Sequence, residues 1–124
     1  MTKPIRTLRG MVNKYVKTKH PDRAWLTDRS LKIYVRVTRR YINGSILDCL
    51  DVASVEAPEK SRGKGMFTRW MDKAEALAAE NGMTVYVESI LNPRLFGFFQ
   101  NRGYVSSTVS PDSMFKVVKR STEA

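Results

Sequence analysis

The run from Ile46 to Ser89 constrains the fold more than any other part of the chain. Leu47, Cys49, Ala53 and Val55 fall on one face of a strand over 45–55, and Ile46, Leu50 and Val52 on the other. A strand that is apolar on both faces needs cover on both. A short basic loop with two glycines follows, Lys60-Ser61-Arg62-Gly63-Lys64-Gly65. Phe67, Trp70, Met71, Ala74, Leu77 and Ala78 then form one stripe of an amphipathic helix, which stops at Asn81-Gly82. Arg69, Asp72, Lys73, Glu75 and Glu80 are expected to face solvent. A second strand, 84–89, comes next. A strand, a crossover helix and a strand in this order give a parallel pair with a right-handed connection.

The flanking segments complete a mixed sheet. Ile5, Leu8, Val12 and Tyr15/Val16 recur at helical spacing and predict a helix over 4–18, with Thr2 before Pro4 as its start. His20-Pro21 ends it, and 20–30 reads as a loop that pins Trp25 and Leu26 to the core. Leu31, Ile33, Val35 and Val37 alternate with polar residues and predict a strand that runs on to Ile42. Asn43-Gly44 is a strong hairpin signal. Pro93 opens a short helix, Leu95 to Arg102, closed by Gly103. A last strand covers 114–118, with 106–113 as its connecting turn, and the tail 119–124 is expected to fray. The predicted order is α-β-β-α-β-α-β in a single domain over 1–124. Asp48 and Asp51 interrupt the central strand, where a carboxylate needs either an arginine partner or a chemical task.

Composition narrows the function classes. A lone cysteine, Cys49, forms no internal disulfide, and one histidine, His20, gives neither a histidine metal site nor a Ser-His-Asp triad much to build on. No apolar run approaches the ~18 residues of a membrane span, and no secretory leader is visible, so the expected compartment is the cytoplasm. Net charge is +10 and uneven: residues 1–50 hold twelve Lys/Arg against three Asp/Glu, residues 51–124 ten against nine. A basic half suits an acidic or nucleic-acid partner, or it serves only as a solvated surface.

The loop before the helix is built for an anion. Glycine lets the backbone approach a ligand closely, and the helix start adds free N–H groups and roughly +0.5 of dipole charge. A nucleotide P-loop is excluded, because no glycine lies five residues before Gly65 and Met66 follows it directly. Gly63 and Gly65 begin a dinucleotide fingerprint that position 68, a threonine, does not complete.

Two motifs in order resemble the GCN5-related N-acetyltransferase family. Its coenzyme loop reads Gln/Arg-x-x-Gly-x-Gly/Ala, and this sequence matches at Arg62 and Gly65 and departs at Phe67. The segment from Asn92 to Tyr104 is similar to the family's Asn-x-x-Ala-x-x-Leu-Tyr-x-x-x-Gly-Phe. Asn92, the aromatic Phe99, Gly103 and Tyr104 fall in register. The resemblance implies an α/β (α+β) fold: a mixed, mostly antiparallel sheet with one central parallel pair that splays, and helices on both faces.

It also implies acetyl-CoA as co-substrate, with no metal. Lys60, Arg62, Gly63, Lys64, Gly65, Met66 and Phe67 would hold the phosphates. Val55 and Ala57 would pair with the pantetheine arm, and Asn92 and Phe99 would complete the cofactor site. The family's reaction is direct attack of an amine on the thioester, which calls for a base and often an acid. Glu88 and then Glu56 are the candidate bases. The family's usual acid is a tyrosine at the position of Phe99, and a phenyl ring has no proton to give. Tyr104, Tyr86 and Tyr34 are the substitutes, Tyr104 first. Cys49 reads as a small core residue.

Two other readings stay open. One is a coenzyme-binding protein without catalysis. The other is a nucleic-acid module using helix 4–18 with Arg36, Arg39 and Arg40, interleaved with Tyr15, Tyr34 and Tyr41. The acceptor is an unidentified amine, a protein among the options, and a homodimer would complete the cleft of so short a chain.

Overall fold

The computed structural model describes residues 7–56, 65–88, 90, 93–108 and 110–118. Helix α1 (Leu8–Thr18) precedes three strands, β1 (Asp22–Asp28), β2 (Leu31–Ile42) and β3 (Ser45–Glu56). Helix α2 (Met66–Glu80), strand β4 (Thr84–Val87), helix α3 (Pro93–Asn101) and strands β5 (Val105–Ser106) and β6 (Met114–Val117) follow. The six strands form one sheet in the order β1-β2-β3-β4-β6-β5. Only β3 and β4 run parallel, as the strand–helix–strand unit requires.

Local chemistry accounts for most boundaries. The Thr7 side chain accepts a hydrogen bond from the Gly10 N–H at 3.0 Å, so Thr7 caps α1. The expected start at Thr2 lies outside the described residues. The buried stripe of α1 is Met11, Val12 and Tyr15, while Val16 faces out. In the β2–β3 hairpin, Asn43 and Gly44 have φ of 47° and 93°, the two positive values that a two-residue type I′ turn needs.

The expected loop over 20–30 is instead strand β1. Its alternation is weak in the sequence because the outward face carries Arg23, Trp25 and Thr27, and the core face only Ala24 and Leu26. Trp25 is 49% exposed and packs at a tilt against Tyr34 rather than entering the core. A two-residue turn with Arg29 at φ 57° fixes its register against β2, from Asp22↔Val37 to Asp28↔Leu31. Strand β5 was also read as turn, since two residues carry no period.

All three described helices pack on one face of the sheet, not on both. Met11, Val12 and Tyr15 of α1, Trp70, Met71 and Leu77 of α2, and Phe99 of α3 share one core with Ile33, Val35, Val37, Leu50, Val52 and Val85. The other face of β3 and β4 carries a second cluster with no described helix over it. The tip of the long β2–β3 hairpin is tied to the segment after β5: the Asn43 Oδ1 accepts from the N–H and hydroxyl of Thr108 at 3.2 and 2.8 Å. Ile42 and Leu47 then join Cys49, Tyr86 and Phe115 in a second, smaller core. No helix among the described residues is long and apolar enough to cross a membrane.

Carboxylates in the sheet are paired with cations. Asp48 accepts from the Tyr15 hydroxyl at 2.8 Å and from Lys19 at 3.0 Å, with Arg39 at 3.6 Å. Burial works against its charge, but these partners outweigh it and hold its carboxyl below the usual range. Glu75, expected to face solvent, is buried against Arg102, Tyr104 and Lys116.

A carboxylate with a depressed folded pKa stabilises the fold above its unfolded value and ceases to do so as pH falls through the folded value. Asp48→Asn is therefore expected to lower stability at neutral pH and to flatten its loss below about pH 4, where the free carboxyl titrates. Urea midpoints compared across that range check this; identical acid limbs in the two proteins would contradict it.

Candidate functional site

A one-residue irregularity opens the site. On β2, Tyr34 faces Ser54 and Val35 faces Val52, so Ala53 is extra on β3. Such a bulge bends and twists the strand that carries it. The parallel ladder with β4 runs from Cys49↔Thr84 to Val52↔Val87 and closes with the Glu88 N–H donating to the Val52 carbonyl at 3.2 Å. Beyond that bond β3 continues to Glu56 beside β2, while the chain after β4 turns away. Between them lies a cavity of about 200 Å³. Ala53, Ser54 and Val55 form one wall, Val87, Glu88 and Ile90 the other, and Phe67, Leu95 and Phe99 the helix side.

Helix α2 points its N-terminus at this cavity through Phe67. Gly65 is its N-cap at φ 75°, with no side-chain hydrogen bond capping the helix and no acidic residue in the first turn. Among the described residues, no side chain caps the first N–H groups of this helix. A Cβ on Gly65 would sit 3.2 Å from the Arg69 guanidinium. Phe67 packs against Trp70, Phe98 and Phe99 with ring centroids 5.5–6.5 Å apart, so it turns inward as expected for the first residue of the stripe. Ala57, Lys60, Arg62, Gly63, Lys64 and Asn92 lie outside the described residues.

Of the expected catalytic groups, Glu88 alone lines the cavity. Arg36 donates to its Oε2 at 2.7 Å, and Arg40 lies 3.7 Å from Oε1. Arg40 also grips Asp51 at 2.6 Å and covers the Tyr86 ring at 4.3 Å. Asp51 is fully buried and its Oδ1 has no hydrogen-bond partner. Burial holds its carboxyl above the ordinary range, with Arg40 opposing. Burial pushes the Cys49 thiol up to about 12, with the charge of Asp51 adding to it, which fits an inert core cysteine.

Glu56 ends β3 across from Lys32, exposed and outside the cavity lining. Tyr104 departs from the expectation of a free acid. It is buried, its hydroxyl donates to Glu75 at 2.9 Å, and the Phe99 ring stands 5.0 Å away, on the cavity side. Burial and the charge of Glu75 raise its pKa far above that of a free tyrosine. Three features of the site are not visible in sequence: the bulge at Ala53, Ser54 as a hydroxyl in the lining, and Arg36 as the partner of Glu88. Each depends on strand register.

No protein-family model matches the sequence, and no curated protein matches it significantly. Solved structures do share its fold. One is a tyrosine-to-phenylalanine mutant of the toxin AtaT bound to the C-terminus of the antitoxin AtaR and acetyl-CoA. It aligns at 13% identity and a TM-score of 0.53, over 69% of this chain and 57% of that one. Another is AtaT complexed with acetyl-methionyl-tRNAfMet, at 10% identity and a TM-score of 0.58, over 89% and 78%. The chain thus spans little more than half of the first of these. The fold is that of the GCN5-related N-acetyltransferases.

Gly65→Ala is expected to cost about 1–2 kcal/mol, the usual penalty for a side chain in the left-handed region. Urea denaturation measures it, and an unchanged midpoint would mean that the loop relaxes without strain.

Proposed function

We propose that the chain is an acetyl-CoA-dependent N-acetyltransferase. The observation that carries this reading is the cavity where the parallel strands part, facing the uncapped N-terminus of α2. Bound acetyl-CoA supplies an activated acetyl thioester. Its phosphates suit the N–H groups at the start of α2 and the cations Lys60, Arg62 and Lys64. Among the described residues, the β4-facing edge of β3 has no ladder partner after Val52, so an extended arm can hydrogen-bond there as an added strand. The apolar walls of Val55, Val87, Ile90 and Phe99 exclude water from the thioester.

Glu88 takes the proton from the attacking amine. Arg36 holds one of its oxygens, which orients the carboxylate. Phe99 gives no proton to the departing thiol. A thiol has a pKa near ~8.5, so the thiolate is a competent leaving group without an acid. The complex of AtaT with acetyl-methionyl-tRNAfMet supports an acceptor amine carried on RNA, and the basic first half of this chain agrees in sign. A second reading, a coenzyme binder without turnover, draws on Phe99 and on the hold of Arg36 over Glu88.

A thermal melt with acetyl-CoA tests the first step. At ~100 times its dissociation constant the ligand should add roughly 2.7 kcal/mol, with ATP giving no shift. Arg62→Ala should abolish that shift and leave the unliganded melt in place. The reading fails if the wild type does not respond. Release of free thiol with amine acceptors then separates enzyme from silent binder. Glu88→Gln should lower turnover by about 10² or more, the low end of general-base contributions, with acetyl-CoA affinity by calorimetry unchanged. Equal turnover in the two proteins would remove Glu88 as the base.

A further inference from the structure

We infer that the outward face of the β1–β2 hairpin is a docking surface for single-stranded RNA, which brings the acceptor amine to the cleft. The delivery step rests on the acetyltransferase reading; the binding itself does not. Three cross-strand pairs share this face: Arg23 with Arg36, Trp25 with Tyr34, and Thr27 with Lys32. No described helix covers it, because the helices occupy the opposite face.

Each pair is poorly explained by folding alone. Two arginines directly opposite each other are an unfavourable cross-strand choice; Glu88 answers Arg36, and an incoming anion would answer Arg23. Trp25 exposes half its surface on an edge strand, where burial gives little return. Its ring lies 5.2 Å from that of Tyr34, and the Arg36 guanidinium sits 5.4 Å from the centre of the Tyr34 ring. Aromatic rings in a row with guanidinium groups form a platform on which unpaired bases stack while phosphates meet the cations. Beside it, Pro21, Asp22, Arg23, Arg36 and Thr38 line an open depression of about 430 Å³. The one carboxylate there, Asp22, already accepts the Arg23 backbone N–H at 2.8 Å.

The surface is continuous with the candidate active site. Arg36 touches both the Tyr34 ring and the Glu88 carboxylate, so a strand lying on the platform ends next to the cavity. Of the other residues singled out by sequence, Arg39 pairs with Asp48, Arg40 with Asp51, and Tyr15 is buried. A second copy of the chain is a worse occupant, since a two-fold interface would set Arg23 and Arg36 against the same pair. A duplex hides the faces of its bases and gains nothing from Trp25.

Anisotropy of a fluorescein-labelled oligoadenylate tests the surface. Binding should weaken steeply with salt, with a log–log slope of about −0.7 per phosphate contacted. Trp25→Ala and Arg23→Ser should each weaken it at least about fivefold, the low end of losses for a stacked base. Both proteins should keep the wild-type circular dichroism spectrum and acetyl-CoA response. Wild-type affinity in both variants would overturn the surface, as would equal affinity for duplex RNA. So would a dimer in sedimentation that Trp25→Ala dissociates, with no RNA bound. RNA binding that is lost in the variants, in a protein that ignores acetyl-CoA, would uphold the surface and remove the delivery step.

Discussion

The extra residue at Ala53 is the constraint on which the rest depends. It bends and twists β3 just where its ladder with β4 ends. Beyond Val52, β3 runs on to Glu56 beside β2 while the chain after β4 turns away, so the one parallel pair among the described strands separates there. The right-handed crossover brings the N-terminus of α2 back to that gap. Apolar walls, free backbone groups and a helix dipole thus meet in one place, and no residue there has to be unusual.

Charge is organised around the same sheet. A net charge of +10 suggests a surface of free cations, yet four buried or half-buried carboxylates hold several of them. Asp48 gathers Lys19 and Arg39, Asp51 holds Arg40, Glu75 gathers Arg102 and Lys116, and Glu88 holds Arg36. Removing one member of such a set leaves a charge in a poorly solvated place, which costs more than the pair contributes. These arginines are therefore fixed in position, and Arg36 links the cleft to the outer face of β1 and β2.

Where period and turn chemistry are strong, sequence and structure agree: β2, the Asn43-Gly44 turn, the stripe of α2, and β4. They part where the signal is non-local. Strand β1 was masked because its outward face carries Trp25 among polar residues, and only pairing with β2 makes it a strand. Glu75 looked exposed by helical spacing, but Arg102 and Tyr104, nearly thirty residues on, fold over it. The resemblance implied helices on both faces, whereas the three described helices share one face and the other carries the small cluster around Cys49 and Tyr86.

The sequence by itself determined the mixed sheet and its parallel unit, because these follow from local periodicity and handedness, and its glycines and cations before α2 are what the proposed coenzyme site draws on. It also marked Glu88 as a candidate base. Only the tertiary structure decided that Glu88 lines the gap while Tyr104 spends its proton on Glu75, and that Trp25 and Tyr34 face outward together. Those facts depend on strand register, and a single bulged residue changes which side chains meet.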